Sequence, residues 1–152
     1  MPVLLSVSAL RKSFGARLLF DNLSLTISDG DRIGLIGPNG SGKTTLLELL
    51  AGNEPPDAGA RALRKQARLA YVPQDSLFAP DDTVGSVLSA AIAGLPLDET
   101  EAATRISMML SRAGFDNADT PAAALSGGWK KRLAIAAALV IAPDVLLLDE
   151  PT

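Results

Sequence analysis

The chain has 152 residues, with 14 Lys plus Arg against 17 Asp plus Glu for a net charge of −3, which is the length of one domain able to bury a real core. A hydrophobic fraction of 47% and a charged fraction of 20% exclude a disordered chain, and the acidic balance argues against a dominant non-specific nucleic-acid surface while leaving a local patch open. Cysteine and histidine are both absent, so disulfides, thiol chemistry, a histidine base and histidine metal ligands are excluded, in keeping with a reducing compartment.

Residues 3–8 and 23–27 read as strands, separated by a polar break at 14–17. Residues 31–36 carry Ile33, Leu35 and Ile36 and are predicted to form a short strand running into a Gly-rich loop at 37–42. A helix is predicted over 43–51, with Gly52 at its end. After a Pro/Gly turn, two short strands are expected at 60–64 and 68–72.

The pattern then becomes helical. Val84, Val87, Leu88, Ala91 and Ile92 share one face, as do Ala102, Ile106, Met109, Leu110 and Ala113, with Gly114 positioned to stop the second helix. A third helix is expected over 128–141, ended by Pro143, and 145–148 is a continuous apolar run of the kind found in a buried parallel strand. The longest apolar stretch, 133–142, falls short of the ~20 residues a membrane helix needs. The N-terminus has neither the basic region nor the cleavage site of a signal peptide. A soluble cytoplasmic protein is the expectation.

Gly37-Pro38-Asn39-Gly40-Ser41-Gly42-Lys43-Thr44 matches G-x-x-x-x-G-K-[ST] between a predicted strand and a predicted helix. Glycines let the backbone curl so that successive N–H groups face phosphate oxygens, and the helix that follows adds its N-terminal partial charge. Lys43 is suited to the β- and γ-phosphates and Thr44 to Mg²⁺. At the far end of the chain, Asp149 and Glu150 follow the apolar run 145–148. Ligands bind at that edge of an open α/β sheet; Asp149 suits a Mg²⁺ shell, and Glu150 suits a general base polarising water. Ser126-Gly127-Gly128 opens the third helix and is followed by Lys130, Lys131 and Arg132. By itself it reads as an ordinary Ser N-cap with a flexible entry, although two glycines at a helix start also expose an anion site.

Together these segments resemble an ATP-binding cassette, the ABC ATPase. The phosphate loop and the Leu-Leu-Leu-Asp-Glu-Pro-Thr ending are similar to its Walker A and Walker B motifs, and Leu125-Ser126-Gly127-Gly128-Trp129 is similar to its signature. Tyr71-Val72-Pro73-Gln74 resembles its Q-loop, and Phe14 its adenine-stacking aromatic. Taken alone, Gln74 reads as a surface polar residue, and Phe14 reads equally well as a core aromatic. The resemblance implies an α/β P-loop fold with a mostly parallel core sheet, N-terminal antiparallel strands and a helical insertion. The nucleotide-binding core would comprise about 1–79 and 143–152, and a helical subdomain about 80–142.

For the site, the resemblance implies ATP and Mg²⁺. Phe14 and Gly37 through Gly42, with Lys43, Thr44 and Thr45, would bind the nucleotide. Thr44, Gln74 and Asp149 would serve the metal, while Glu150, Lys43 and Gln74 would serve catalysis. Ser126, Gly127 and Gly128 would clamp the ATP of a second cassette docked head to tail. Trp129, where transport cassettes usually carry Gln or Glu, resembles the first cassette of the soluble twin-cassette ABC-F proteins, most like their Uup-like branch, many of which act on ribosomes. A ribosome or its RNA is then a possible partner. The alternative is the ATPase subunit of a membrane transporter, with a membrane partner.

Two helices fill the interval between Gln74 and Ser126, which leaves little room for the long arm of many ABC-F cassettes. The family's D-loop and switch histidine would follow Thr152. The chain is therefore read as an N-terminal fragment cut after Walker B, weak in binding and inactive by itself.

Overall fold

A computed structural model describes residues 1–150 of the chain. Its contacts divide into two compact units, one formed by Met1–Tyr71 with Asp144–Asp149, the other by Val72–Pro143 together with Glu150.

In the first unit, β1 (Val3–Phe14) and β2 (Arg17–Ser28) form an antiparallel hairpin, and β3 (Ala58–Leu63) pairs antiparallel on the other side of β1, giving the order β2-β1-β3. β1 is thus the central strand. The ladder shifts register between Val3 and Leu5, Val7 and Leu10, Leu10 and Lys12, and Lys12 and Ser13. Ala9 takes a left-handed φ of 49° at the second of these irregularities, which re-aims the residues beyond it. Two more strands, β4 (Leu69–Val72) and β5 (Val145–Leu148), form a separate pair. α1 (Lys43–Ala51) packs against β5. The core of this unit joins Leu4, Leu5, Val7 and Leu10 of β1 to Leu46, Leu49 and Leu50 of α1 and to Val145 and Leu147 of β5.

Residues 31–36 are not a strand. Ile33, Leu35 and Ile36 are 56%, 44% and 96% exposed. Among the described residues no strand pairs with this segment. An apolar run without a ladder partner has nothing to satisfy its backbone N–H and C=O groups in an extended conformation. The expected strand before the phosphate loop is therefore corrected to irregular chain.

The second unit is helical. α2 (Val84–Ile92) starts at Thr83, whose hydroxyl accepts from the Ser86 N–H while the Ser86 side chain accepts from the Thr83 N–H. α3 (Glu99–Ala113) repeats this reciprocal cap with Asp98 and Glu101. α4 (Gly127–Val140) closes the unit. Val84, Leu88 and Ile92 of α2 meet Leu133, Ala136 and Val140 of α4 and Phe115 in its core, with Ile106, Met109 and Leu110 of α3 packed on the flank. No helix among the described residues is long and apolar enough to cross a membrane.

Candidate functional site

The phosphate loop ends at α1. Gly42 is the N-cap at φ 99°, and no side chain caps the helix, so the first-turn N–H groups are left to a ligand or solvent. Gly40 also takes a left-handed φ, 77°. A Cβ on Gly37 would lie 2.8 Å from Ser41 Oγ, so the loop closes tightly on itself there. Lys43 Nζ donates to the carbonyls of Gly37 at 2.8 Å and Pro38 at 3.1 Å, folding the ammonium over the loop. Pro38, Asn39 and Thr44 are exposed, while Ser41 and Thr45 are half-buried.

The hairpin β1–β2 supports this loop at two points that its sequence did not announce. Arg17 Nη2 donates to the Gly40 carbonyl at 2.6 Å. The Phe20 ring lies beneath Gly42, where an added Cβ would come within 2.9 Å of Phe20 Cζ. Phe14 ends β1 and is 53% exposed, and Lys12 Nζ lies 5.2 Å from its ring centroid. Lys12 itself is buried, held by Glu54, by the Pro55 carbonyl and, more distantly, by Asp57.

Asp149 follows β5 and is 3% exposed. The Tyr71 hydroxyl faces it at 3.5 Å, a long hydrogen bond to Asp149 Oδ2. Burial first, and the nearby Asp149 and Glu48 carboxylates second, push the Tyr71 phenol up to about 12. Thr44 and Asp149 offer hard oxygen donors of the kind Mg²⁺ takes. Among the described residues no three acidic groups cluster as a metal site of their own.

In the second unit, Gln74 Nε2 donates to Glu150 Oε2 at 3.0 Å. Glu150 is exposed, with a left-handed φ of 42°. Strain of this kind at a non-glycine residue costs of order 1–3 kcal/mol and concentrates at functional positions. Lys131 of α4 donates to the carbonyls of Pro73 at 2.8 Å and Gln74 at 2.6 Å, tying the backbone that carries Gln74 to the helix that carries Ser126-Gly127-Gly128. Ser126 is the N-cap of α4, yet its side chain makes no capping bond. Ser126, Gly127 and Gly128 are all exposed. The Trp129 ring lies 5.1 Å from that of Phe115, tilted 58° to it, and 4.4 Å from the Arg132 guanidinium. These contacts join the start of α4 to the segment just after α3.

A loop built to cradle phosphate at the start of a helix, a buried acid after β5 and an uncapped Ser-Gly-Gly helix start define a P-loop nucleotide-binding domain of the cassette type. The protein-family model described as ABC transporter matches residues 20–152, and the chain belongs to that family. It is 39% identical over 160 residues to Nod factor export ATP-binding protein I of Ralstonia nicotianae, covering 98% of this chain and 50% of that protein. It is 41% identical over 152 residues to the energy-dependent translational throttle protein EttA of Escherichia coli, covering 97% of this chain and 27% of that protein. A solved ATP-binding subunit of an ABC transporter superposes with a TM-score of 0.88 at 24% identity, over 97% of this chain and 66% of that one. The chain thus spans about half the length of the first relative and about a quarter of the second.

Proposed function

We propose that the chain is part of an ATP-hydrolysing cassette of ABC-F type, acting with a second cassette in the cytoplasm. The observation that carries the ATPase reading is the phosphate loop, with Lys43 folded over it and the helix start left uncapped. In this reading Phe14 stacks on adenine, and Gly37 through Thr45 hold the phosphates through backbone N–H groups and the Lys43 ammonium. Thr44, Asp149 and Gln74 would hold Mg²⁺, which when bound would supply positive charge against the phosphates. Glu150 takes the proton of the attacking water, and Gln74, hydrogen-bonded to Glu150, orients that water. The chain's contribution is positioning and electrostatic stabilisation, the two largest levers on phosphoryl transfer. Ser126, Gly127 and Gly128 present an uncapped helix start to the γ-phosphate of the opposite cassette. The 152-residue chain alone holds one half of each such composite site and is expected not to turn over.

The ABC-F assignment is supported by Trp129 in the signature and by the 41% identity to the translational throttle protein. The ribosome is its proposed target. A second reading, the ATP-binding subunit of a membrane exporter, is supported by the 39% identity to the Nod factor export protein. Fractionation of the natural full-length protein carrying Glu150→Gln, with ATP present, separates the two. Co-sedimentation with ribosomes supports the first reading. Recovery with membranes, leaving ribosomes bare, rejects it in favour of the second.

A further inference from the structure

A cradle of inward-facing N–H groups forces carbonyls outward, and each outward carbonyl needs a partner. In the phosphate loop, Lys43 serves the carbonyls of Gly37 and Pro38. The carbonyl of Gly40, turned by that residue's left-handed φ, is served from outside the loop by Arg17 at 2.6 Å. Arg17 is also the first residue of β2 and the register partner of Phe14, across the turn made by Gly15 and Ala16.

We propose that Arg17 is a positioning residue of the nucleotide site: its guanidinium holds the crest of the phosphate loop through the Gly40 carbonyl, so that one hairpin end sets both the base platform and the phosphate cradle. This rests on the reading of 37–45 as the ATP phosphate cradle. A charged donor to a carbonyl is stronger than a neutral one. Arg17 is exposed, so its replacement removes the tether without opening the core.

The test uses the natural full-length protein and two probes, ATP and inorganic tripolyphosphate, which has phosphates but no base. Arg17→Ala should weaken both by the same factor, about five- to tenfold, the net scale of one ordinary hydrogen bond, because the lost bond acts on the ligand only through the loop. Arg17→Lys, which keeps a charged donor, should restore part of the loss. Phe14→Ala should weaken ATP alone. In turnover, Arg17→Ala should raise KM for ATP and leave kcat near wild type, because the tether acts on ground and transition states alike. Lys43→Ala is the control for the underlying reading. If Lys43→Ala removes binding while Arg17→Ala binds both probes within twofold of wild type, the proposal is overturned and the nucleotide site stands. If Lys43→Ala also leaves binding intact, the nucleotide site itself is refuted, and the role of Arg17 falls with it.

Discussion

Replacing Gly42 by alanine tests the packing beneath the phosphate loop. Two costs are legible. Gly42 has φ 99°, and forcing an L-residue into left-handed space costs roughly 1–2 kcal/mol. The new Cβ would lie 2.9 Å from Phe20 Cζ, 3.5 Å from Phe20 Cε1 and 3.6 Å from Leu19 Cδ1. The ring edge must give by a few tenths of an ångström, at the low end of overpacking costs, about 1 kcal/mol. The sum is about 2–3 kcal/mol. Gly40→Ala isolates the first cost, since φ there is 77° and nothing lies within 4 Å of the added Cβ; it should lose only about 1–2 kcal/mol. Adding Phe20→Leu to Gly42→Ala should recover about 1 kcal/mol beyond additivity. Urea unfolding followed by far-UV circular dichroism gives all four values. If Gly42→Ala costs no more than Gly40→Ala, or if Phe20→Leu shows no coupling, the Phe20 buttress is refuted.

The chain has one tyrosine, so phenolate absorbance reports Tyr71 alone. It should titrate near 12 in the folded protein, and Asp149→Asn should lower that midpoint part of the way towards 10, because burial outweighs the carboxylate. A folded pKa raised above the unfolded one favours the neutral phenol. Its stabilisation is therefore full below pH 10 and is lost as pH rises through about 12. Asp57 accepts from the Ser13 hydroxyl and the Ser13 N–H, each at 2.7 Å, and these bonds hold its carboxyl below the ordinary 3.8. Here the sign is opposite: stability is present above the ordinary value and is lost as pH falls through the depressed one. Asp57→Asn should flatten the acid limb of a stability-versus-pH curve below about pH 4. Leu88 is fully buried between α2 and α4, and Leu88→Ala should cost about 2–5 kcal/mol in chemical denaturation.

The helices were legible because their signals are local. Gly114 stops α3, and apolar spacing gives the buried faces. The hairpin was legible only in part. β1 runs on to Phe14 because the bulge at Ala9 breaks the two-residue alternation, and because Lys12, which a strand rule sends to solvent, is buried against Glu54. β2 begins six residues before the predicted start, with Asn22 at φ 56° interrupting its alternation. The strand predicted at 31–36 failed for the converse reason: its apolar residues state a need for partners, and pairing is not a local property. In the site, the motif residues stood out because backbone curvature and charge demand particular residue types. Arg17 and Phe20 carried no motif, while Tyr71 and Lys131 lay in or beside one without a role of their own. Their roles come from contacts reaching from 22 residues, Phe20 to Gly42, to 78, Tyr71 to Asp149.

Whether the phosphate loop holds ATP and Glu150 serves as the base in its hydrolysis can be decided by measuring ATP affinity and turnover together. The natural full-length protein is compared with its Lys43→Ala and Glu150→Gln forms. Lys43→Ala should lose ATP binding. Glu150→Gln should keep it while turnover falls by at least about a hundredfold, the lower range for loss of a general base. A Glu150→Gln protein hydrolysing ATP at the wild-type rate would contradict that role for Glu150.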